Sequence, residues 1–130
     1  DGLIAYFKES KVDAALEAAL AILEAIERLG QEAGAGSVTG HLQAGIGMAL
    51  GEVVEGNMGS QSKRDFTIIG ETVNLASRLE AMTRDLPSHL AVNADVKAAS
   101  SAHWRWHSLG RHAVKGYEDP LEVFTPRAPK

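Results

Sequence analysis

Apolar positions along this chain follow two different rhythms. From residue 12 to 29 they recur every three or four positions. Val12, Leu16, Ala19, Leu20, Leu23, Ile26 and Leu29 share one stripe, while Glu17, Glu24, Glu27 and Arg28 lie mostly off it. That spacing predicts a long amphipathic helix, with Ser10 as its N-cap and Gly30 as the C′ residue that ends it. A second helix is predicted over 71–82, where Val73, Leu75, Ala76, Leu79 and Met82 recur at helical spacing, and a short third one over 94–99. Apolar runs of strand length occupy 3–7, 41–50, 66–69, 89–92, 104–107 and 121–125, and Val53 and Val54 extend the second run past Gly51. In the run at 104–107, Trp104 and Trp106 alternate with His103, Arg105 and His107, which predicts indoles facing the core. Segments 31–40 and 56–65 carry the Gly, Ser and Asn of loops and turns. The mixed order of strands and helices predicts an α+β domain, a largely antiparallel sheet with helices on one side.

Composition narrows the function classes. The 130 residues carry 13 Lys and Arg against 17 Asp and Glu, a net charge of −4, which argues against a nucleic-acid binder. The chain contains no cysteine. This excludes a disulfide scaffold, a thiolate-ligated zinc or iron–sulfur site, and a thiol nucleophile. It makes a reducing, cytoplasmic setting the default expectation. The most apolar stretch, 14–26, is interrupted by Glu17 and Glu24, so no membrane span is expected. A strand beginning abruptly at Asp1, without a Met or a leader, reads as the back part of a longer domain.

Segment 64–80, RDFTIIGETVNLASRLE, is the richest in chemistry. Asn74 and Arg78 lie four apart on the second helix and so share a face. Asn can orient a hydroxyl, and Arg can hold a phosphoryl oxygen with its fork of donors. The bland alternative is a solvated face on which Arg78 pairs with Glu71 or Glu80. Gly45, Gly47 and Gly51 do not match the dinucleotide fingerprint and read as a strand packed closely under a helix. Lys115, in a turn with Gly116, can reach a phosphate or stand as an ordinary solvated lysine. His103 and His107 have the spacing of zinc ligands on a helix, but the Trp-Arg-Trp alternation is that of a strand, which argues against a metal there.

These residues form a wider pattern. FTIIGETVNLASRLE (66–80), preceded by GIGMALGEVVEGNMGS (45–60), resembles the catalytic domain of class III adenylyl and guanylyl cyclases. Asp1-Gly2 with LIAYF, AMTRDLPSHLAVNADV (81–96) and VKGYEDPLEVF (114–124) resemble further pieces of that domain in the same order. The resemblance implies a ferredoxin-like fold working as a homodimer with shared active sites. It also implies that residues 1–130 are the C-terminal two-thirds of the domain, incomplete at the N-terminus. The family's first metal-binding Asp and purine-selecting Lys would lie before Asp1, and a regulatory domain elsewhere in the full protein. By the same resemblance Asp1 is a metal-binding aspartate for two divalent ions, Mg2+ or Mn2+. Thr67 is the purine selector, Asn74 the ribose-orienting residue, Arg78 the stabiliser of the transition-state phosphate, and Lys115 the triphosphate ligand.

The activity implied is conversion of ATP to 3′,5′-cyclic AMP and pyrophosphate for intracellular signalling. The alternatives are a guanylyl cyclase and a degenerate cyclase-like domain that binds nucleotide or a partner without turnover. A cyclase making cyclic dinucleotides is disfavoured, because no Gly-Gly-(Asp/Glu)-Glu-Phe turn occurs. The resemblance also leads us to expect little activity from the 130 residues alone.

Overall fold

A computed structural model of the chain describes residues 2–33, 43–57 and 66–127. The predicted loop and turn at 34–40 and 58–65, with Lys63 and Arg64, lie outside these residues, as do His41, Leu42 and Asp1.

The first long element is helix α1, Val12–Ala33. Its stripe is buried through Val12, Ala15, Leu16 and Ala19, with Leu20 and Leu23 half-buried against the same cluster. The exposed side carries an i,i+4 pair, Arg28 to Glu24 at 2.8 Å, worth about 0.3–0.5 kcal/mol. Both predicted ends differ from the structure. Ser10 lies inside a 3₁₀ turn, Glu9–Lys11, that runs directly into α1, so helical dihedrals begin before Ser10 can act as a cap. Gly30 is within the helix, which continues to Ala33. It does not adopt the positive φ that a C′ glycine needs.

Six strands follow the sequence reading with altered bounds. They are β1 Ile46–Met48, β2 Val54–Asn57, β3 Phe66–Ile69, β4 Leu90–Val92, β5 Arg105–His112 and β6 Leu121–Arg127. Helix α2, Glu71–Met82, follows β3, and α3, Ala94–Ala99, follows β4. The main sheet has the order β1-β4-β6-β5. β1 and β4 are parallel, while β6 runs antiparallel to both β4 and β5. β2 and β3 form a separate antiparallel hairpin. Of the long predicted strand at 41–50, three residues join the sheet. Residues 3–7, also predicted as a strand, form none. Leu3 and Ile4 of this run are 94% and 67% exposed.

The α+β class and the largely antiparallel sheet are as expected. The placement of the helices is not, because they cover both faces. Leu90 and Val92 pack with Val12, Leu16 and Ala19 of α1 and Val96 of α3, whereas Ala91 between them packs with Leu75 and Leu79 of α2. Phe124 and Val123 of β6 divide in the same way. Successive strand residues point to opposite faces, so α1 and α3 lie on one side of the sheet and α2 on the other. The sequence pattern hid this, since a strand buried on both faces loses its polar alternation. Truncating one of these fully buried leucines to Ala would cost about 2–5 kcal/mol.

Two polar anchors lock the elements together. Asn93 is buried, and its Oδ1 accepts from Val96 N at 3.1 Å, capping α3. It also accepts from Leu50 N and its Nδ2 donates to Leu50 O, both at 3.3 Å, which fixes the end of β1. In the first turn of α1, Asp13 Oδ1 accepts from Ser101 N at 2.9 Å and from Trp104 Nε1 at 2.8 Å. Trp104 is buried as expected, and Trp106 is half-buried against the α1 cluster.

Candidate functional site

Helix α2 lies directly on the backbone of β1, and glycines make that possible. A Cβ on Gly47 would meet Ala76 O and Glu80 N of the helix backbone, and one on Gly45 would meet the Thr83 hydroxyl. Gly51 stands in the same relation to Thr72 Oγ1. The three glycines thus serve close helix-on-strand packing, as the sequence reading proposed, and not a phosphate loop.

The consequence is a fixed outer face. Leu75 and Leu79 are buried against the sheet. Asn74 and Arg78 each precede one of them, and so stand about 100° around the helix. Asn74 is exposed and Arg78 half-buried. The alternative in which Arg78 pairs with Glu71 or Glu80 is not what the structure has. Among the described residues the one ion pair is Arg28–Glu24, and Arg78 makes no side-chain hydrogen bond. Among those residues its guanidinium donors have no partner, on the helix face it shares with Asn74, which suits an anionic, hydroxyl-bearing ligand.

Lys115 is exposed in the turn between β5 and β6, next to Gly116 at φ 98°. Its neighbour Val114 is buried in the same cluster as Leu75 and Leu79. The turn is thus anchored to the core under α2. Thr67 lies in β3 opposite Gly56, three residues before Gly70, which alone separates β3 from α2. Its side chain and all of Asp1 lie outside what the structure describes. A groove of about 250 Å3 opens at the start of α2, with Leu50, Leu75, Tyr117 and Leu121 among its lining residues and Glu71, Asp95 and Glu122 around it.

No three His, Asp or Glu side chains converge to hold a metal among the described residues. His103 is engaged with Ser101 Oγ at 2.5 Å and meets the Trp104 ring at a tilt of 31°, with centroids 5.3 Å apart. His112 Nε2 lies 2.8 Å from Leu109 O. These two rings are engaged locally. The Asp13 carboxyl is held below the ordinary aspartate range, first by the Ser101 backbone N–H. Partial desolvation opposes this, and the Trp104 indole and the His103 charge add to it.

Sequence reasoning missed Thr72, whose Oγ1 donates to Glu52 O at 2.7 Å. Its position two residues into the helix resembles that of any N-terminal Thr. The signal was Gly51, a small residue placed where a partner approaches.

The chain was compared with known proteins. The family model described as the adenylate and guanylate cyclase catalytic domain matches residues 4–125. The uncharacterized Mycobacterium tuberculosis protein MT1361 is 35% identical over 133 aligned positions, covering 97% of this chain. The chain spans 22% of that relative's length. A solved bacterial light-regulated adenylyl cyclase is 42% identical with a TM-score of 0.81, over 92% of this chain and 34% of that one. The adenylyl cyclase CyaB from P. aeruginosa shares the fold at 23% identity and a TM-score of 0.76, over 99% of this chain and 65% of that one. No helix among the described residues is long and apolar enough to cross a membrane. With its sheet, its helices and nearly its whole length matched, the chain belongs to the adenylate and guanylate cyclase catalytic domain family.

Proposed function

We propose that this domain converts ATP to 3′,5′-cyclic AMP and pyrophosphate, in the cytoplasm and as part of a signalling protein. The observation that carries the reading is the outer face of α2, where Arg78, unpaired among the described residues, stands one turn from Asn74 on a helix seated on glycines. In the reaction the ribose 3′-oxygen attacks the α-phosphorus and loses its proton. The bond from the α-phosphorus to the bridging oxygen breaks, and pyrophosphate leaves. Asn74 orients the ribose. Arg78 donates to the α-phosphoryl oxygens as charge builds there, where a preorganised donor has its largest effect. Lys115 holds the outer phosphates as a point charge, and Thr67 hydrogen-bonds the purine.

Divalent ions, when bound, would activate the 3′-hydroxyl and neutralise the triphosphate. The described residues do not by themselves form a site for them. Asp1 would serve as one carboxylate ligand. The homodimer belongs to the same reading. Asp1 of one protomer would complete a site whose Thr67, Asn74, Arg78 and Lys115 come from its partner.

The test is steady-state turnover of the full protein with Mn-ATP and Mn-GTP. ATP should give the higher kcat/KM, because the Thr67 hydroxyl can serve adenine and no Cys is present to read guanine. Equal or better turnover of GTP would make the domain a guanylyl cyclase, and absence of turnover with both would leave a nucleotide-binding or partner-binding domain.

A further inference from the structure

We infer that Thr72 is a positioning residue that sets the angle of the β2–β3 hairpin against helix α2. The hairpin closes at the pair Val54–Ile69, and one residue, Gly70, joins β3 to α2. Gly70 has φ 139°, a region open to glycine and not to other residues. Such a joint permits many hairpin angles. Just beyond the ladder, Thr72 Oγ1 donates to Glu52 O at 2.7 Å and closes the base of the hairpin from the other strand. Among the described residues this is the one side-chain hydrogen bond between α2 and segment 51–54. Gly70 has no side chain to cap the helix, so no competing acceptor draws the Thr72 hydroxyl away. Gly51 leaves the room that the hydroxyl occupies, since a Cβ there would collide with Thr72 Oγ1. Val54 and Ile69 are 63% and 45% exposed, so apolar packing at this closing pair does little to fix the base of the hairpin.

What the hairpin and helix hold comes from the cyclase reading: Thr67 on one, Asn74 and Arg78 on the other. On that reading Thr72 sets the purine contact relative to the ribose and phosphate contacts while touching none of them. A small misplacement between such groups is costly in rate.

Two readouts on the full protein separate the clamp from the cyclase reading. The first is hydrogen exchange of the ladder amides in 54–57 and 66–69. Thr72→Val, which keeps the shape and removes the donor, should speed their exchange about tenfold, the effect of losing roughly one hydrogen bond. Thr72→Ser should leave exchange within about twofold. Gly51→Ala should behave like Thr72→Val, because it displaces the same hydroxyl. The second readout is kcat/KM for ATP and GTP. Thr72→Val should lower the ATP value by about tenfold and narrow the ratio between the nucleotides, and Thr72→Ser should restore both. Unchanged ladder exchange in Thr72→Val overturns the clamp. Faster exchange with unchanged kinetics overturns the positioning role. A wild-type protein inactive on both nucleotides refutes the cyclase reading, and exchange then decides the clamp alone.

Discussion

Arg78 is half-buried on the outer face of α2. Its helix neighbours include two glutamates, Glu71 and Glu80, yet it pairs with neither. On the proposed mechanism Arg78→Ala should lower kcat by roughly 10²–10³ and leave KM nearly unchanged, the signature of a donor that acts mainly in the transition state. Steady-state kinetics on the full protein check this, and a change confined to KM would assign Arg78 to ground-state binding. Asp13 gives a second prediction at this scale. Its carboxyl titrates below the ordinary aspartate value in the folded protein because of the Ser101 N–H, with help from the Trp104 indole and His103. A lowered folded pKa contributes stability above the unfolded pKa, and that contribution is lost as pH falls through the folded pKa. The stability gap between wild type and Asp13→Ala, measured by urea unfolding, should therefore be full near neutrality. It should shrink as pH drops below the ordinary carboxylate range.

At the scale of elements, the seating of α2 on β1 governs the candidate site from a distance. Gly47 faces backbone atoms of Ala76 and Glu80, which cannot rotate aside as a side chain can. Gly47→Ala should push α2 off the strand, cost about 1–3 kcal/mol by urea denaturation, and reduce turnover although residue 47 touches no substrate. Stability and kcat unaffected by the added methyl would mean that the helix has slack. These elements were legible in the sequence to unequal degrees. Helices α1 and α2 were plain because their stripes repeat over several turns, and the Asn74–Arg78 face followed from simple spacing. The run at 3–7 was misread because strand length and apolar letters alone do not make a strand, and the segment forms none. Gly30 was misread because the helix continues through a residue of poor propensity to Ala33. The helices on opposite faces were illegible because Ala91 and Val92 look alike as apolar letters while pointing to different cores. Thr72 was illegible because its acceptor is a backbone carbonyl 20 residues away.

For the whole molecule, the proposed shared site has a strict arithmetic consequence. In full-length protein, Asp1→Ala and Arg78→Ala should each be nearly inactive as homodimers. A heterodimer of the two has one site with both residues intact and one with both removed, so mixing should return up to about half of wild-type activity per heterodimer. Heterodimers that demonstrably form and stay inactive would place Asp1 and Arg78 in the same chain's site. The Asp13–Trp104 anchor matters at this scale in another way. The chain has two tryptophans, at 104 and 106, both flanking the surface where α1 docks, and the Trp104 indole donates to α1 itself at 2.8 Å. Neither α2 nor the β2–β3 hairpin contains one. Intrinsic fluorescence of this domain is thus a gauge of α1 docking. Emission should shift to the red when α1 leaves the sheet, whereas events on the outer face of α2 should pass without a direct optical signal. An investigator watching tryptophan emission sees the scaffold, and needs a fluorophore placed on α2 or on the nucleotide to see the chemistry.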